Sequence, residues 1–204
     1  MKQVLFSICV AAFLWFLMFF PYTSGKVGFW YTMSFSALVL SILAGKFHPQ
    51  WTLDILIGWK TVGWGILIAV GLWCVFWAGD KVASFLFSFA RPQVDLIYGL
   101  KEGENKWFLS LLLFVLIGPA EEVFWRGYIQ KTLSDRWNAN KGFVVTTLLY
   151  ALVHIWSLNF MLVMAALVVG TAWGALYRFY PKQLSAIMLS HALWDVAVFV
   201  LFPI

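Results

Sequence analysis

Long apolar segments separated by short polar ones run through the whole chain. A helix rises about 1.5 Å per residue, so about 20 apolar residues cross the hydrocarbon core of a bilayer. Seven segments approach or reach that length, and the pattern therefore predicts an all-α fold: a polytopic membrane helix bundle of about seven transmembrane helices. The predicted helices are Val4–Phe20, Val27–Gly45, Val62–Gly79, Trp107–Lys131, Phe143–Trp156, Phe160–Tyr177 and Gln183–Phe202.

Two segments of this pattern have a second interpretation. Val82–Ala90 is apolar but too short to span, and it lies between Asp80-Lys81 and Arg91-Pro92. We expect Asp80-Lys81 to end the third helix and Val82–Ala90 to form a separate short helix, either re-entrant or interfacial. The first apolar run could be a signal peptide, but it is long and no small-residue cleavage site follows it.

Composition supports a membrane protein and excludes a soluble globular one. The chain has 204 residues, of which 63% are hydrophobic and 11% charged, whereas soluble domains carry about 25% charged residues. The net charge of +5 is scattered over short loops, which leaves no basic patch for a nucleic-acid partner. We expect residues 1–204 to form a single integral membrane domain, surrounded by membrane lipid.

The positive residues between the predicted helices indicate an orientation. Lys and Arg accumulate in the cytoplasmic loops of membrane proteins. With seven spans, the N-terminus and the loops after helices two, four and six share one face, which holds eight Lys and Arg residues against five on the other. This count favours an N-terminus inside the cell, in the inner or plasma membrane, and we expect the active site to open toward the cytoplasm through the loops after helices four and six.

Charged residues inside the fourth helix are the first candidates for chemistry. Glu121, Glu122 and Arg126 interrupt an otherwise apolar span, where ionisable groups are costly and are usually paired or functional. Glu122 and Arg126 are four apart and so share a helix face. A structural ion pair needs one carboxylate, which leaves Glu121 free to meet other helices.

Three further polar residues lie at a matching depth. His154 belongs to the fifth helix, and His191 and Asp195 are four apart on the seventh. Counted from the predicted helix ends, Glu121, His154 and His191 lie roughly 12–18 Å deep. Each histidine alone is better explained by packing, and Glu122 with Arg126 alone could equally well be a structural pair. Their common depth nevertheless predicts one shared site.

These residues resemble the motifs of a known family. Glu121-Glu122-Val-Phe-Trp-Arg126 is similar to the E-E-x-x-x-R motif of the CAAX protease and bacteriocin-processing (CPBP, or Abi) intramembrane proteases. Tyr150 to His154 resembles the F-x-x-x-H motif, with Tyr where Phe is usual, and His191 to Asp195 resembles H-x-x-x-N/D. The likeness covers residues 107–202, the predicted catalytic core.

The resemblance implies roles for all six residues. Glu121 and His154 would activate water, His191 and Asp195 would stabilise the oxyanion, and Glu122 with Arg126 would orient and neutralise the site. Positioned carboxylates and imidazoles suit general-base catalysis. Two Glu, two His and an Asp could also hold zinc, but H-E-x-x-H is absent and Arg126 opposes a cation, so we expect no cofactor and keep zinc as the alternative.

The function predicted from the sequence is an intramembrane endopeptidase that cleaves a peptide or a membrane-anchored protein. The alternative is a non-catalytic membrane protein, a transporter, ion-pathway component or scaffold, that uses the same buried charges. Transporters often carry internal repeats, and none is visible here. The G-x-x-x-G of Gly170 and Gly174 favours packing within the chain over a dimer interface, and the oligomeric state stays open.

Overall fold

The computed structural model describes residues 1–56 and 58–204 and, within them, contains helices and connecting turns but no strand. The predicted all-α bundle is thereby confirmed. The main helices of the described residues, numbered in chain order, are α1 (Lys2–Phe19), α2 (Phe29–Phe47), α3 (Trp59–Leu86), α4 (Ala90–Gly99), α5 (Lys106–Arg136), α6 (Ala139–Val153), α7 (Phe160–Phe179) and α8 (Pro181–Leu201).

Six of these helices, α1, α2, α3, α5, α7 and α8, are long and apolar enough to cross a membrane. The remaining predicted span, α6, has 15 α-helical residues, which extend about 22 Å. A 3₁₀ turn, His154–Ser157, continues it and adds about 8 Å. Together the two segments approach the thickness of the hydrocarbon core.

The expected short helix at residues 82–90 is wrong. Asp80 and Lys81 do not end the third helix, which continues to Leu86. Asp80 is buried and lies 3.4 Å from Arg91 and 3.5 Å from Lys81, so its charge is compensated without a break in the helix. The short helix of this region is α4, which begins at Ala90 and includes Arg91 and Pro92 in its first turn.

The central helix is α5, which carries the two glutamates. All residues from Ala120 to Gln130 are buried, as expected of a helix surrounded by protein on every side. Its backbone widens into π-helical turns at Leu113–Ile117 and Val123–Gln130. Pro119 lacks the N–H that a regular helix needs, and just before it Gly118 N–H bonds to the Leu113 carbonyl, five residues back.

Asparagine residues mark where helices α5, α6 and α7 begin. Asparagine side chains cap α5, α6 and α7: Asn105 accepts from two backbone N–H groups, and Asn138 and Asn159 from one each, at 2.9–3.1 Å. Asparagine is among the preferred N-cap residues because its oxygen replaces a missing backbone acceptor.

Glycines allow the helices of the site to approach closely. A Cβ atom on Gly118 would lie 2.9 Å from the backbone of Ala192, so α5 and α8 touch there. Gly170 and Gly174 of α7 face Tyr150 and Phe143 of α6. The G-x-x-x-G segment therefore packs within the chain, as predicted.

Candidate active site

Glu121 makes a single side-chain hydrogen bond among the described residues. The Tyr150 hydroxyl, from the last turns of α6, donates to Glu121 Oε2 at 2.9 Å. Glu121 is 5% exposed, and it lines a cavity. One carboxylate oxygen is therefore held by Tyr150, and the other has no donor among residues 1–56 and 58–204.

Glu122 points in a different direction and is fully buried. Its Oε1 accepts from Arg126 Nη1 at 2.9 Å and lies 2.7 Å from His191 Nδ1 on α8. Successive helix residues are rotated by about 100°, so adjacent glutamates reach different neighbours. Glu122 connects α5 to α8 and neutralises Arg126, whereas Glu121 faces the cavity.

Arg126 lies among aromatic rings as well as carboxylates. Its guanidinium is 4.8 Å from the Tyr150 ring centre and 5.7 Å from that of Trp173, distances that suit cation–π attraction. Arg126 Nη2 also donates to the Gly170 carbonyl at 3.3 Å. These contacts compensate a guanidinium that is 1% exposed.

The His191 ring stacks on a tryptophan, and each of its two nitrogens lies near a carboxylate. Its imidazole stacks on Trp173 with centroids 3.9 Å apart and planes at 22°. An ionised carboxylate only accepts hydrogen bonds, so His191 Nδ1 donates to Glu122. Its Nε2 lies 3.5 Å from Asp195 Oδ2, and both residues line the cavity.

His154 is close to this group but has both ring nitrogens engaged. Trp15 of α1 donates to its Nε2 at 3.1 Å, and its Nδ1 lies 2.8 Å from the Tyr150 carbonyl oxygen. Because the carbonyl accepts and Trp15 donates, the ring is a neutral imidazole with its proton on Nδ1. In this arrangement His154 has no free lone pair with which to activate water.

The cavity beside these residues has a volume of about 460 Å³. Glu121, Tyr150, His154, His191 and Asp195 all line it, and most of its remaining wall is apolar. The structure therefore brings the six predicted site residues into one region: Glu122 and Arg126 lie behind the wall, and the other four lie on it. Apolar wall residues include Phe29, Trp30, Met33, Phe76, Met161 and Met164.

The cavity occupies one half of the bundle. On α5 it is lined by Leu113, Ile117 and Glu121 but by no later residue, and on α8 by His191 and residues beyond it. It extends past α4 to Leu100 and Phe160, toward the loops after the first, third and fifth predicted helices. The buried segment from Ala120 to Gln130 lies on the other side of Glu121. An active site that opens toward the cytoplasm through the loops after helices four and six stays a prediction, and it differs from the direction in which the cavity extends.

The zinc alternative would require at least three donor side chains that converge on one point. No group of three or more His, Cys, Asp or Glu side chains in residues 1–56 and 58–204 is arranged to hold a metal ion. Glu122 Oε1 is already shared between Arg126 and His191, and the Arg126 guanidinium opposes a second cation beside it.

Three side chains that contact the predicted site residues were not identified from the sequence: Tyr150, Trp173 and Trp15. Tyr150 appears in the sequence as a departure from the usual phenylalanine, and its hydroxyl was the available signal. Trp173 supports both His191 and Arg126, but nothing distinguishes it in the sequence from the other twelve tryptophans. Trp15 lies in α1, far from the motifs, and only the fold brings it to His154.

Comparison with known proteins agrees with the motifs. Residues 103–197 match the family model described as type II CAAX prenyl endopeptidase Rce1-like. The comparisons with curated proteins and with solved structures found no match. The matched residues include all six predicted site residues, and over this part of the chain the match supports the family that the motifs predicted.

Proposed function

We propose that this integral membrane protein, whose residues 103–197 belong to the Rce1-like CAAX prenyl endopeptidases, hydrolyses a peptide bond inside the membrane with Glu121 as general base. One observation carries the proposal. Glu121 lies on the wall of an apolar cavity, with one oxygen held by Tyr150 and the other without a donor in the part of the chain that the structure describes. A base must reach the proton that it removes, and this oxygen can reach a water molecule in the cavity.

The reaction proceeds by direct attack of water. Glu121 takes a proton from water, and the resulting hydroxide forms a bond to the carbonyl carbon of the substrate peptide. The tetrahedral intermediate then collapses: its C–N bond breaks, and the nitrogen receives the proton held by Glu121. One water is consumed, and the products are a carboxylic acid and an amine.

The oxyanion of the intermediate is stabilised from α8. His191 Nε2 and Asp195 line the same cavity as Glu121, and a proton on each would make both groups donors. Preorganised donors directed at a developing oxyanion usually contribute strongly to catalysis. Glu122 and Arg126 fix His191 from behind, since Glu122 Oε1 binds His191 Nδ1 at 2.7 Å.

The role of His154 differs from the one that the resemblance implies. Because Trp15 and the Tyr150 carbonyl engage both ring nitrogens, His154 supports the backbone that carries Tyr150. Proton transfer in the proposed reaction uses Glu121 alone.

The apolar cavity suits a substrate that is itself partly apolar. Its aromatic and methionine wall offers few hydrogen-bond partners away from the site, so an apolar side chain or lipid group beside the scissile bond gains from burial there. We propose a membrane-anchored peptide or protein as substrate, with a lipidated peptide as the class suggested by the family description.

The proposal is tested with purified protein in lipid vesicles. A farnesylated peptide that ends in a CAAX sequence is added, and the products are identified by mass spectrometry. We expect two fragments whose masses sum to the substrate plus one water, formed equally well after treatment with a strong chelator. Absence of cleavage of this and of a panel of other lipidated peptides, or cleavage that chelation abolishes and zinc restores, would count against it.

A further inference from the structure

The phenol of Tyr150 is placed to decide which oxygen of Glu121 faces the substrate. The hydroxyl donates to Oε2 at 2.9 Å and is the only hydrogen-bond donor to this carboxylate in the described part of the chain. Without it the carboxylate could rotate about its last side-chain bond, a torsion with a broad, shallow preference.

Tyr150 is itself held firmly in place. It is 4% exposed, and its ring packs edge-on against Trp125 at 5.4 Å and against His154 at 5.3 Å. The guanidinium of Arg126 lies over the same ring. Gly170 adds a close approach from α7, because a Cβ atom there would lie 3.0 Å from Tyr150 Cδ1.

The hydrogen bonds around Tyr150 point in one direction. Trp15 donates to His154, His154 donates to the Tyr150 carbonyl, and the Tyr150 hydroxyl donates to Glu121. Each donor fixes the group that follows it, so α1 and α6 together hold the carboxylate on α5. Phenylalanine, the usual residue in the motif, would end this series one step before Glu121.

We propose that Tyr150 is the positioning residue for Glu121: its hydroxyl holds Oε2 and so presents Oε1 to the cavity. The inference rests on the proposed function for its kinetic consequence, but the contact itself does not depend on the reaction. A misplacement of about 1 Å at a reacting group can lower a rate by two orders of magnitude. The hydroxyl therefore acts on the rate of the chemical step and leaves substrate binding unaffected.

The test compares Tyr150→Phe with a matched control, Tyr177→Phe. Tyr177 also donates to a carboxylate, Asp54 at 2.6 Å, and is 3% exposed, but it lies outside the cavity. With a cleavable peptide, we expect Tyr150→Phe to lower kcat about tenfold to a hundredfold with KM within twofold. The Tyr177→Phe enzyme should keep the wild-type kcat.

A second measurement works even if no peptide is cleaved. The infrared carboxyl band of Glu121 is identified as the band that Glu121→Gln removes. A hydrogen bond to a carboxyl group shifts its stretching frequency, so the band should move in Tyr150→Phe and stay in place in Tyr177→Phe. An unmoved band, or an unchanged kcat in an active enzyme, overturns the proposal. Failure of the protein to cleave any peptide overturns the proposed function and leaves the infrared result to decide this one.

Discussion

Glu121 and Glu122 are neighbours in the sequence, yet the fold gives them separate tasks. Glu122 Oε1 receives both Arg126 and His191, whereas Glu122 Oε2 is buried without a hydrogen-bond partner among the described residues. Glu121 has one hydrogen-bond partner among the described residues, Tyr150, and borders the cavity. The difference follows from helix rotation and from which helices pack on each side of α5. The sequence already indicates Glu121 as the spare carboxylate, because Glu122 and Arg126 are four apart, but its contact with Tyr150 and the cavity depends on the packing.

Asp195 offers a prediction at the same scale. Glu122 already orients His191 at 2.7 Å, whereas Asp195 lies 3.5 Å away, so a second orienting carboxylate is not required. We expect Asp195 to serve as a protonated donor toward the oxyanion. Asp195→Asn should therefore keep most of the activity, because an amide also donates. Asp195→Ala should lose roughly 10²–10³ in kcat.

The measurement is kcat for both Asp195 variants, with folding checked by thermal unfolding in detergent. If the folded Asp195→Asn enzyme is as inactive as Asp195→Ala, the reaction needs the negative charge of Asp195 and not its hydrogen-bond donor.

At the scale of helices, the site depends on the close contact between α5 and α8. Gly118 lets the backbone of Ala192 approach α5 closely, and the neighbouring His191 lies 2.7 Å from Glu122. A methyl group on Gly118 would force the helices apart, and overpacking of this kind typically costs about 1–3 kcal/mol. We expect Gly118→Ala to lower both the thermal stability and the hydrolysis rate.

Gly71 on α3 is the matched control for that substitution. A Cβ atom added there meets nothing within 4 Å, and alanine is the better helix former by about 1 kcal/mol. Gly71→Ala should leave activity unchanged and stability equal or higher. Equal behaviour of the two variants in thermal unfolding and activity would show that the α5–α8 contact is not tight.

The sequence predicted the helices well and their ends less well. Apolar length located all seven predicted helices, because burial in lipid demands it. The end of α3 was misplaced because a charge pair was taken as a boundary, whereas Asp80 is compensated by Arg91 from the next helix. The π turns of α5 and the position of Trp15 depend on contacts between distant segments, which hydrophobic periodicity does not encode.

At the scale of the whole molecule, the count of Lys and Arg residues and the position of the cavity point to opposite faces of the membrane. The count of Lys and Arg places the N-terminus and the loops after helices two, four and six inside the cell. The cavity, however, extends toward the other face, past α4 and the polar loop that follows it. If the charge count is right, the end of the cavity beside Leu100 and Phe160 lies on the side away from the cytoplasm.

Reporter insertions measure this orientation. One reporter is inserted at Asn138, between α5 and α6, and another at Gly103, between α4 and α5. The positive-inside count predicts a cytoplasmic signal at Asn138 and an external one at Gly103. The reverse result would mean that the cavity extends toward the cytoplasmic face. Signals from the same side at both positions would show that α5 does not cross the membrane completely.

The central claim is that Glu121 activates the water that cleaves the peptide. Its most direct test is the hydrolysis rate of Glu121→Gln in lipid vesicles, compared with wild type and with Glu102→Gln, which changes an exposed carboxylate in the loop before α5. Glutamine keeps the shape of the side chain and removes the base, so we expect the rate to fall by about 10² or more, while Glu102→Gln matches wild type. A correctly folded Glu121→Gln protein with turnover near that of wild type would contradict the account.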